Sequence, residues 1–407
     1  MYRVVVTGMG IVSSIGSNCD EVTTALKEEQ SGMAYQEEMA ALGFKCCVAA
    51  PVRGARDDLI PPALRSKLSG TAMYGLLAAI EAVTAAGLVP HSPDMDRCGV
   101  IIGSGGGGQG RIPFPPTAES PESDRRPPGR EEIHRLMNST AAAVVAEQMG
   151  ARGRVQSHSA ACATGLYNIG RAYQLVRDGA LHKAIAGGAE EESWRRVGVT
   201  ADNTHGMPTE FNDNPTRACR PFDRDRTGFI ISSGAGVMML ERYEDAVRRN
   251  APILCELVGY SAANDGADLF VASGDAMRRV LMQSLQQASG HGVETIDYLN
   301  AHAAGTGQGD PVEAGIIGEV LGEAPAVSST KGNSGHSQGA VGAQEAVFTA
   351  LMMQHGFIAP TKNLENVAEN CQGIQHVMSL RDGQFTTAVT MNNGLGGTNC
   401  SLVMKRI

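Results

Sequence analysis

Aromatic side chains are scarce: phenylalanine, tyrosine and tryptophan together make up 4% of the 407 residues. A sandwich cored on large rings is a poor fit to that composition, and a layered α/β architecture a better one. Positive charge is also short. Lys and Arg number 34 against 43 Asp and Glu, a formal net charge of −9, which speaks against non-specific nucleic-acid binding. No CxxC pair exists. The nine cysteines are odd in number and scattered, and "KCCV" at Cys46–Cys47 is not a ligand spacing. Neither a disulfide framework nor a metal site is expected, and the thiols point to a reducing, cytoplasmic compartment. No window reaches the ~20 uninterrupted apolar residues of a spanning helix, so no membrane insertion is expected. "MYRVVVTGMGIV" lacks the charged-then-apolar layout of a signal peptide and reads as a first buried strand. What the chain has in quantity is glycine, 50 residues of it, which implies tight turns and close packing of small residues.

Apolar, β-branched runs alternate with helical spacing along the whole length. "RVVVTGMG", "CGVIIGSG", "RVQSHSA", "KAIAGGAE" and "GAGVMMLER" read as strands, followed later by "PILCELVGYSA", "IDYLNAHA", "AVSSTKG", "TAVTMNN" and "NCSLVMKR". Helical spacing marks "TAMYGLLAAIEAVTAAG", "EEIHRLMNSTAAAVVAEQMG", "GLYNIGRAYQLVRDG", "DAMRRVLMQSLQQASG", "PVEAGIIGEVLG" and "VGAQEAVFTALMMQHG". This alternation predicts parallel sheets covered by helices. The order hints at a repeat, with a seam near Glu241–Ile253 dividing the chain into halves 1–251 and 252–407. Between Gly105 and Arg130 runs a long stretch rich in Gly and Pro that is neither helix nor central strand throughout. Its "GSGGGGQG" follows a strand, but Pro113, Pro115 and Pro116 stand where the helix of a dinucleotide site is needed. A close-packing loop is the better reading.

Cys162, in "SHSAACATGLYNIG", lies where a strand ends and a helix begins. It is either a small core thiol or a nucleophile. N–H groups at a helix start favour a thiolate and lower its pKa. His302 follows a strand in "LNAHAAGTGQGDPVEAG", with Asp310 and Glu313 after the turn. Lys331 and His336 occupy a similar strand–turn–helix in "SSTKGNSGHSQGAVGAQEA". Either histidine alone reads as structural. Together with Cys162, at parallel turns, they make a set suited to acyl transfer. The thiolate takes an acyl group as a thioester, and neutral imidazoles donate to a second thioester carbonyl while CO₂ leaves. "TMNNGLGGTNCSLVM" adds a Gly-rich turn after a strand, whose plain reading is a hairpin.

In order along nearly the whole chain, "VVVTGMGIVSSIG", "SAACATG", "AGGAEE", "RPFDRDRTGFIISSGAG", "STKGNSGHSQGAVGAQEA" and "GLGGTN" resemble the β-ketoacyl-acyl-carrier-protein synthases I and II. The resemblance implies the thiolase fold, two similar βαβαβαββ halves in five layers, as a dimer. It implies that Cys162 is the nucleophile and that His302 and His336 drive malonyl decarboxylation. Lys331 supports that pair, with Glu313 as its carboxylate partner. It implies an oxyanion hole from the N–H groups of Cys162 and Asn393, and Phe229 beside the nucleophile. No cofactor is implied; substrates arrive on the phosphopantetheine of an acyl carrier protein. Arg65 and Lys67 match the family's basic docking patch, with Arg125, Arg126 and Arg130 of the long loop as further candidates. The partner subunit is a second copy or a related ketosynthase-like chain.

Three departures accompany the match. The family's "HGTST" reads "HAAGT", so Ala304 replaces one of two pantetheine-binding threonines while Thr306 remains. "NSFGFGG" reads "MNNGLGG", placing Asn393 and Leu395 where the family has phenylalanines, the first of them aligned with its gate. The stretch Arg196 to Pro208 differs where the family lines its acyl pocket. A condensing enzyme of a specialised fatty-acid or polyketide pathway is the expectation. Housekeeping elongation, a non-condensing chain-length-factor-like subunit and a plain acyltransferase are the rivals.

Overall fold

The computed structural model describes residues 1–108, 131–192 and 197–407. Ten strands carry the architecture: β1 (Val4–Val12), β2 (Cys98–Gly103), β3 (Val155–Gln156), β4 (Lys183–Glu190), β5 (Gly234–Arg242), β6 (Cys255–Asn264), β7 (Tyr298–Asn300), β8 (Ala326–Ser328), β9 (Thr387–Asn393) and β10 (Thr398–Lys405). The first five lie in the order β3-β2-β4-β5-β1 and the second five in the order β8-β7-β9-β10-β6. The directions repeat as well. β2 runs parallel to β3 and β4, and β5 antiparallel to β4 and β1. Likewise β7 runs parallel to β8 and β9, and β10 antiparallel to β9 and β6. The two halves therefore share one topology. Val4–Val6 pairs with Cys255–Leu257 and joins them into one continuous sheet.

Eight helices matter for the site: α1 (Gly70–Ala85), α2 (Glu131–Leu136), α3 (Thr140–Met149), α4 (Thr164–Arg177), α5 (Asp275–Ser289), α6 (Gly309–Leu321), α7 (Lys331–Ser334) and α8 (Val341–His355). α4 and α8 pack on each other and touch strands of both halves. α1 and α3 cover the outer face of the first half, α5 and α6 that of the second. The result is the five-layered α-β-α-β-α arrangement of the thiolase fold. A helix in the middle layer has no solvent face, and from Val341 to Met353 every residue of α8 is buried.

Small residues make such layering possible. A Cβ on Gly8 would lie 2.1 Å from the Ala82 carbonyl oxygen, and one on Gly10 would lie 2.0 Å from that of Ala78. β1 thus lies directly against the alanine-rich face of α1, where an aromatic core would hold the layers apart.

Two expectations about elements change. "EEIHRLMNSTAAAVVAEQMG" is two helices, α2 and α3, interrupted at Met137–Ser139. There Asn138 leaves helical pairing, donates to the Ser104 carbonyl and accepts from the Ser157 hydroxyl. The strands expected at "RVQSHSA", "IDYLNAHA" and "AVSSTKG" shrink to two or three residues, because the chain leaves the sheet early to form the turns described next. Residues 109–130 of the long loop, with Arg125, Arg126 and Arg130, lie outside the described residues, as do 193–196. Among the described residues no helix is long and apolar enough to cross a membrane.

Candidate active site

Cys162 sits in the turn between β3 and α4. Ala161 before it has a φ of +48°, a conformation rare for a residue with a side chain, and Ala163 after it opens the helix. The strained residue bends the chain sharply, so two backbone N–H groups address the sulfur: Cys162's own and that of Leu395. These donors and the Lys331 charge favour the thiolate. Burial outweighs them, assisted by the Glu190 carboxylate, and pushes the thiol up to about 11. The lowered pKa expected from the helix start alone is therefore reversed. The resting group is a neutral thiol, because desolvation acts on the whole charge and a helix end on a fraction of it.

The turn from β7 to α6 carries His302, and the segment after β8 carries Lys331 and His336. The two imidazoles meet edge to face, with centroids 5.2 Å apart. His336 is pinned through its own backbone. Its N–H donates to Ile230 and its carbonyl accepts from Ser232, which ties it to the "GFIISSG" segment of the first half. The Gln338 N–H donates to its Nδ1 at 3.1 Å, leaving the ring's proton on Nε2. Around His302, Nδ1 faces Asn392 Nδ2 at 3.1 Å and Lys331 Nζ at 3.4 Å. Burial and the Lys331 charge hold both rings well below the usual histidine range, so both are neutral at pH 7.

Lys331 has no exposed surface, and its partner is Glu345 of α8, with Nζ 2.5 Å from Oε1. Glu313 does not pair with it. It accepts the His302 backbone N–H at 2.8 Å, and burial pushes it up to about 8. Asp310 does similar work for the rest of that turn, accepting from the N–H groups of Ala304, Gly305 and Thr306. The two acids shape the His302 turn from the first turns of α6.

The other expected residues fall in several places. Phe229 packs against the His336 ring, centroids 5.6 Å apart. The Thr306 hydroxyl donates to Asp310 and accepts from the Gly309 N–H, so its proton is already engaged. Ala304 is buried, and its carbonyl accepts from the Cys219 thiol. Asn393 is still in strand register opposite Asn399. The chain turns only at Gly394, so the N–H that reaches the sulfur comes from Leu395, whose side chain is 64% exposed. The Asn393 amide oxygen is buried without a partner. Arg65 is paired with Asp57 at 2.6 Å, and Lys67, two residues on, is exposed.

The "GSGGGG" loop folds around a carboxylate of its own chain. Glu190, at the end of β4, accepts from Ser104 Oγ, from the N–H groups of Gly105 and Gly106, and from Gly339 N–H of the other half. Gly339 has no room for a side chain, since its Cβ would lie 2.2 Å from the Gly105 nitrogen. The loop is thus a close-packing device that joins the Cys162 side of the site to the His336 side.

Glu345, Asn392 and Glu190 were missing from the sequence reading. Glu345 left a signal, since it is the only acid in the fifteen residues of α8, and a lone acid on a buried helix requires a partner.

The chain's similarities to known proteins can be set beside this geometry. The family model for the β-ketoacyl synthase N-terminal domain matches residues 1–246, and that for the β-ketoacyl synthase C-terminal domain matches residues 254–365. The chain is 37% identical to 3-oxoacyl-[acyl-carrier-protein] synthase 1 of Escherichia coli (strain K12) over 410 residues, covering 100% of both proteins. A β-ketoacyl synthase from Burkholderia phymatum STM815 superposes with a TM-score of 0.91 at 31% identity, over 100% of both chains. A ketosynthase solved in the AntDE:AntF complex, a type II polyketide acyl-carrier protein with its hexaketide-bound ketosynthase, gives 0.87 at 26% identity, again over 100% of both chains.

Proposed function

The chain belongs to the β-ketoacyl synthases, condensing acyltransferases, and from that premise we propose how its residues divide the reaction. The Cys162 thiol exchanges with an acyl-carrier thioester. The sulfur–acyl bond forms, the carrier sulfur leaves, and the proton lost by Cys162 goes to the carrier thiol. Malonyl-carrier then enters. Its carbon–carboxylate bond breaks, CO₂ departs, and the enolate oxygen is held by the Nε2–H groups of His302 and His336. The enolate carbon attacks the acyl carbonyl on Cys162, whose oxyanion is received by the N–H groups of Cys162 and Leu395. Collapse releases β-ketoacyl-carrier and the Cys162 thiolate, which regains a proton from water. No step changes oxidation state, so the scheme calls for no redox cofactor.

The observation that carries this reading is the pairing of a sulfur facing two N–H groups with two neutral imidazoles set edge to face. Intact-mass measurement after incubation with acyl-carrier tests it. Cys162→Ala should take up no acyl group, the other eight cysteines notwithstanding. His302→Ala and His336→Ala should load Cys162 yet fail to condense. An adduct on another cysteine with turnover intact, or normal condensation by both histidine variants, overturns the scheme.

The acyl chains are proposed to be those of a specialised pathway rather than only saturated ones. What supports this is the buried, unpartnered Asn393 amide oxygen at the end of β9, which offers an acceptor where the family has an apolar ring. The partner is proposed to be an acyl carrier protein, as in the complex superposed above. A second copy or a related subunit is proposed to pair along β3. That strand has a neighbour on one side only among the described residues and leaves Val155 46% exposed.

A further inference from the structure

The neutral His302 ring donates at Nε2 only while its Nδ1 stays unprotonated, so what holds Nδ1 decides which tautomer this imidazole presents. Two donors approach it. Lys331 is the farther, at 3.4 Å, and its ammonium is already bound to Glu345 at 2.5 Å. The nearer is Asn392 Nδ2 at 3.1 Å. The orientation of that amide is set by chemistry. Its Nδ2 also donates to Glu345 Oε2 at 2.7 Å. Rotating the amide by half a turn would place Oδ1 against a carboxylate oxygen and against an imidazole lone pair, two repulsive contacts in place of two bonds.

A second observation comes from α8. Gly342 lies buried in the first turn of α8. A Cβ there would stand 2.2 Å from Asn392 Oδ1. The helix thus leaves space where the Asn392 amide sits, and Oδ1 remains buried without a partner in that space.

We propose that Asn392 is a positioning residue for the condensation, holding His302 in its Nε2–H form by donating one amide hydrogen to Nδ1 and the other to Glu345. The inference rests on the role given to His302 above. The titratable and charged groups around His302 are Lys331 and His336 from the segment after β8, Glu345 from α8, and Glu313 from α6. Of these only the lysine also approaches Nδ1.

The test uses the full-length protein with malonyl-carrier and compares Asn392→Leu, Asn392→Asp, Gly342→Ala and His302→Ala with wild type. Asn392→Leu keeps the volume and removes both donors. It should lower kcat for decarboxylation about 10-fold or more while KM changes by less than about 3-fold. Acyl loading of Cys162, which does not use His302, should stay within about 2-fold of wild type. Nitrogen-15 NMR of the His302 ring should change from one Nε2–H form to a mixture. Gly342→Ala, which displaces the amide without changing it, should move the same readouts in the same direction, and it serves if Asn392→Leu does not fold. Asn392→Asp presents an acceptor to Nδ1 and draws the proton there. Its decarboxylation should therefore recover as pH falls and the imidazolium restores Nε2–H, a trend absent from wild type. A wild-type rate and a single Nε2–H signature in folded Asn392→Leu or Gly342→Ala overturn the inference, provided His302→Ala is inactive. Full decarboxylation by His302→Ala would instead overturn the role of His302 itself.

Discussion

An ammonium group with no exposed surface needs a carboxylate, and Glu345 supplies one to Lys331 from the buried helix α8. Removing one partner leaves a buried, unpaired charge. Lys331→Met alone should lower stability by about 3–5 kcal/mol, read as a shift in the denaturant midpoint. Lys331→Met combined with Glu345→Leu should recover most of that loss, because two apolar side chains fill the same space without a charge to desolvate. Condensation should stay absent in both, since the lysine's field is gone. That field also acts on the nucleophile. Alkylation of wild-type Cys162 should keep rising with pH toward about 11, where burial places the thiol. Lys331 favours the thiolate, so the double variant should need a still higher pH to reach the same alkylation rate. An unmoved profile would mean that Lys331 does not act on the sulfur.

At the scale of elements, the site is a set of turns that leave their strands early. This much was legible in the sequence. Apolar β-branched runs end in small residues and are followed by helical spacing, and the chemical residues stand at those joints: Cys162, His302, Lys331 and His336. Lateral pairing was not legible. Glu313 and Glu345 each lie in a helix that follows one of these turns, and nothing local says which one faces Lys331. The answer depends on how α6 and α8 are laid down. α8 runs through the middle layer and presents Glu345 to the lysine, whereas Glu313 is spent on the His302 backbone. The N–H facing the Cys162 sulfur comes from Leu395 rather than Asn393 for a related reason. Pairing with β10 continues through Asn393, so the turn's free N–H comes two residues later, at Leu395. The same register leaves the Asn393 amide oxygen buried without a partner, at a cost of about 1–3 kcal/mol. An acyl group that carries a hydroxyl donor, or a water, would offset it. Asn393→Phe should therefore narrow the acyl range toward saturated chains while short acyl groups still load on Cys162. Relative turnover of saturated and hydroxylated acyl-carriers measures this, and an unchanged preference would remove Asn393 from substrate choice.

At the scale of the whole molecule, several of the contacts that join the two halves run through the site. Glu190 of the first half collects the Gly339 N–H of the second, and the Gly228 N–H of the first donates to Gly305 in the His302 turn. The site is thus assembled only when both halves are in place. Under the proposed function its substrates come attached to a carrier protein, while the chain itself carries a net charge of −9. For a carrier that is itself acidic, net charge gives no long-range attraction, and docking requires a local basic patch. Arg65 and Lys67 are the candidates within the described residues, and they are not equivalent. Arg65 is partly neutralised by Asp57 at 2.6 Å, whereas no described residue pairs with the Lys67 ammonium. Lys67→Glu should accordingly raise KM for acyl-carrier more than Arg65→Glu does, with kcat and the alkylation of Cys162 by a small reagent unchanged. Added salt should weaken wild-type docking, because the Debye length falls from about 10 Å at 0.1 M to about 3 Å at 1 M. Lys67→Glu should show a flatter salt dependence, having lost the attraction that salt screens. Equal KM values for both variants and wild type across that salt range would place carrier docking on another face of the molecule.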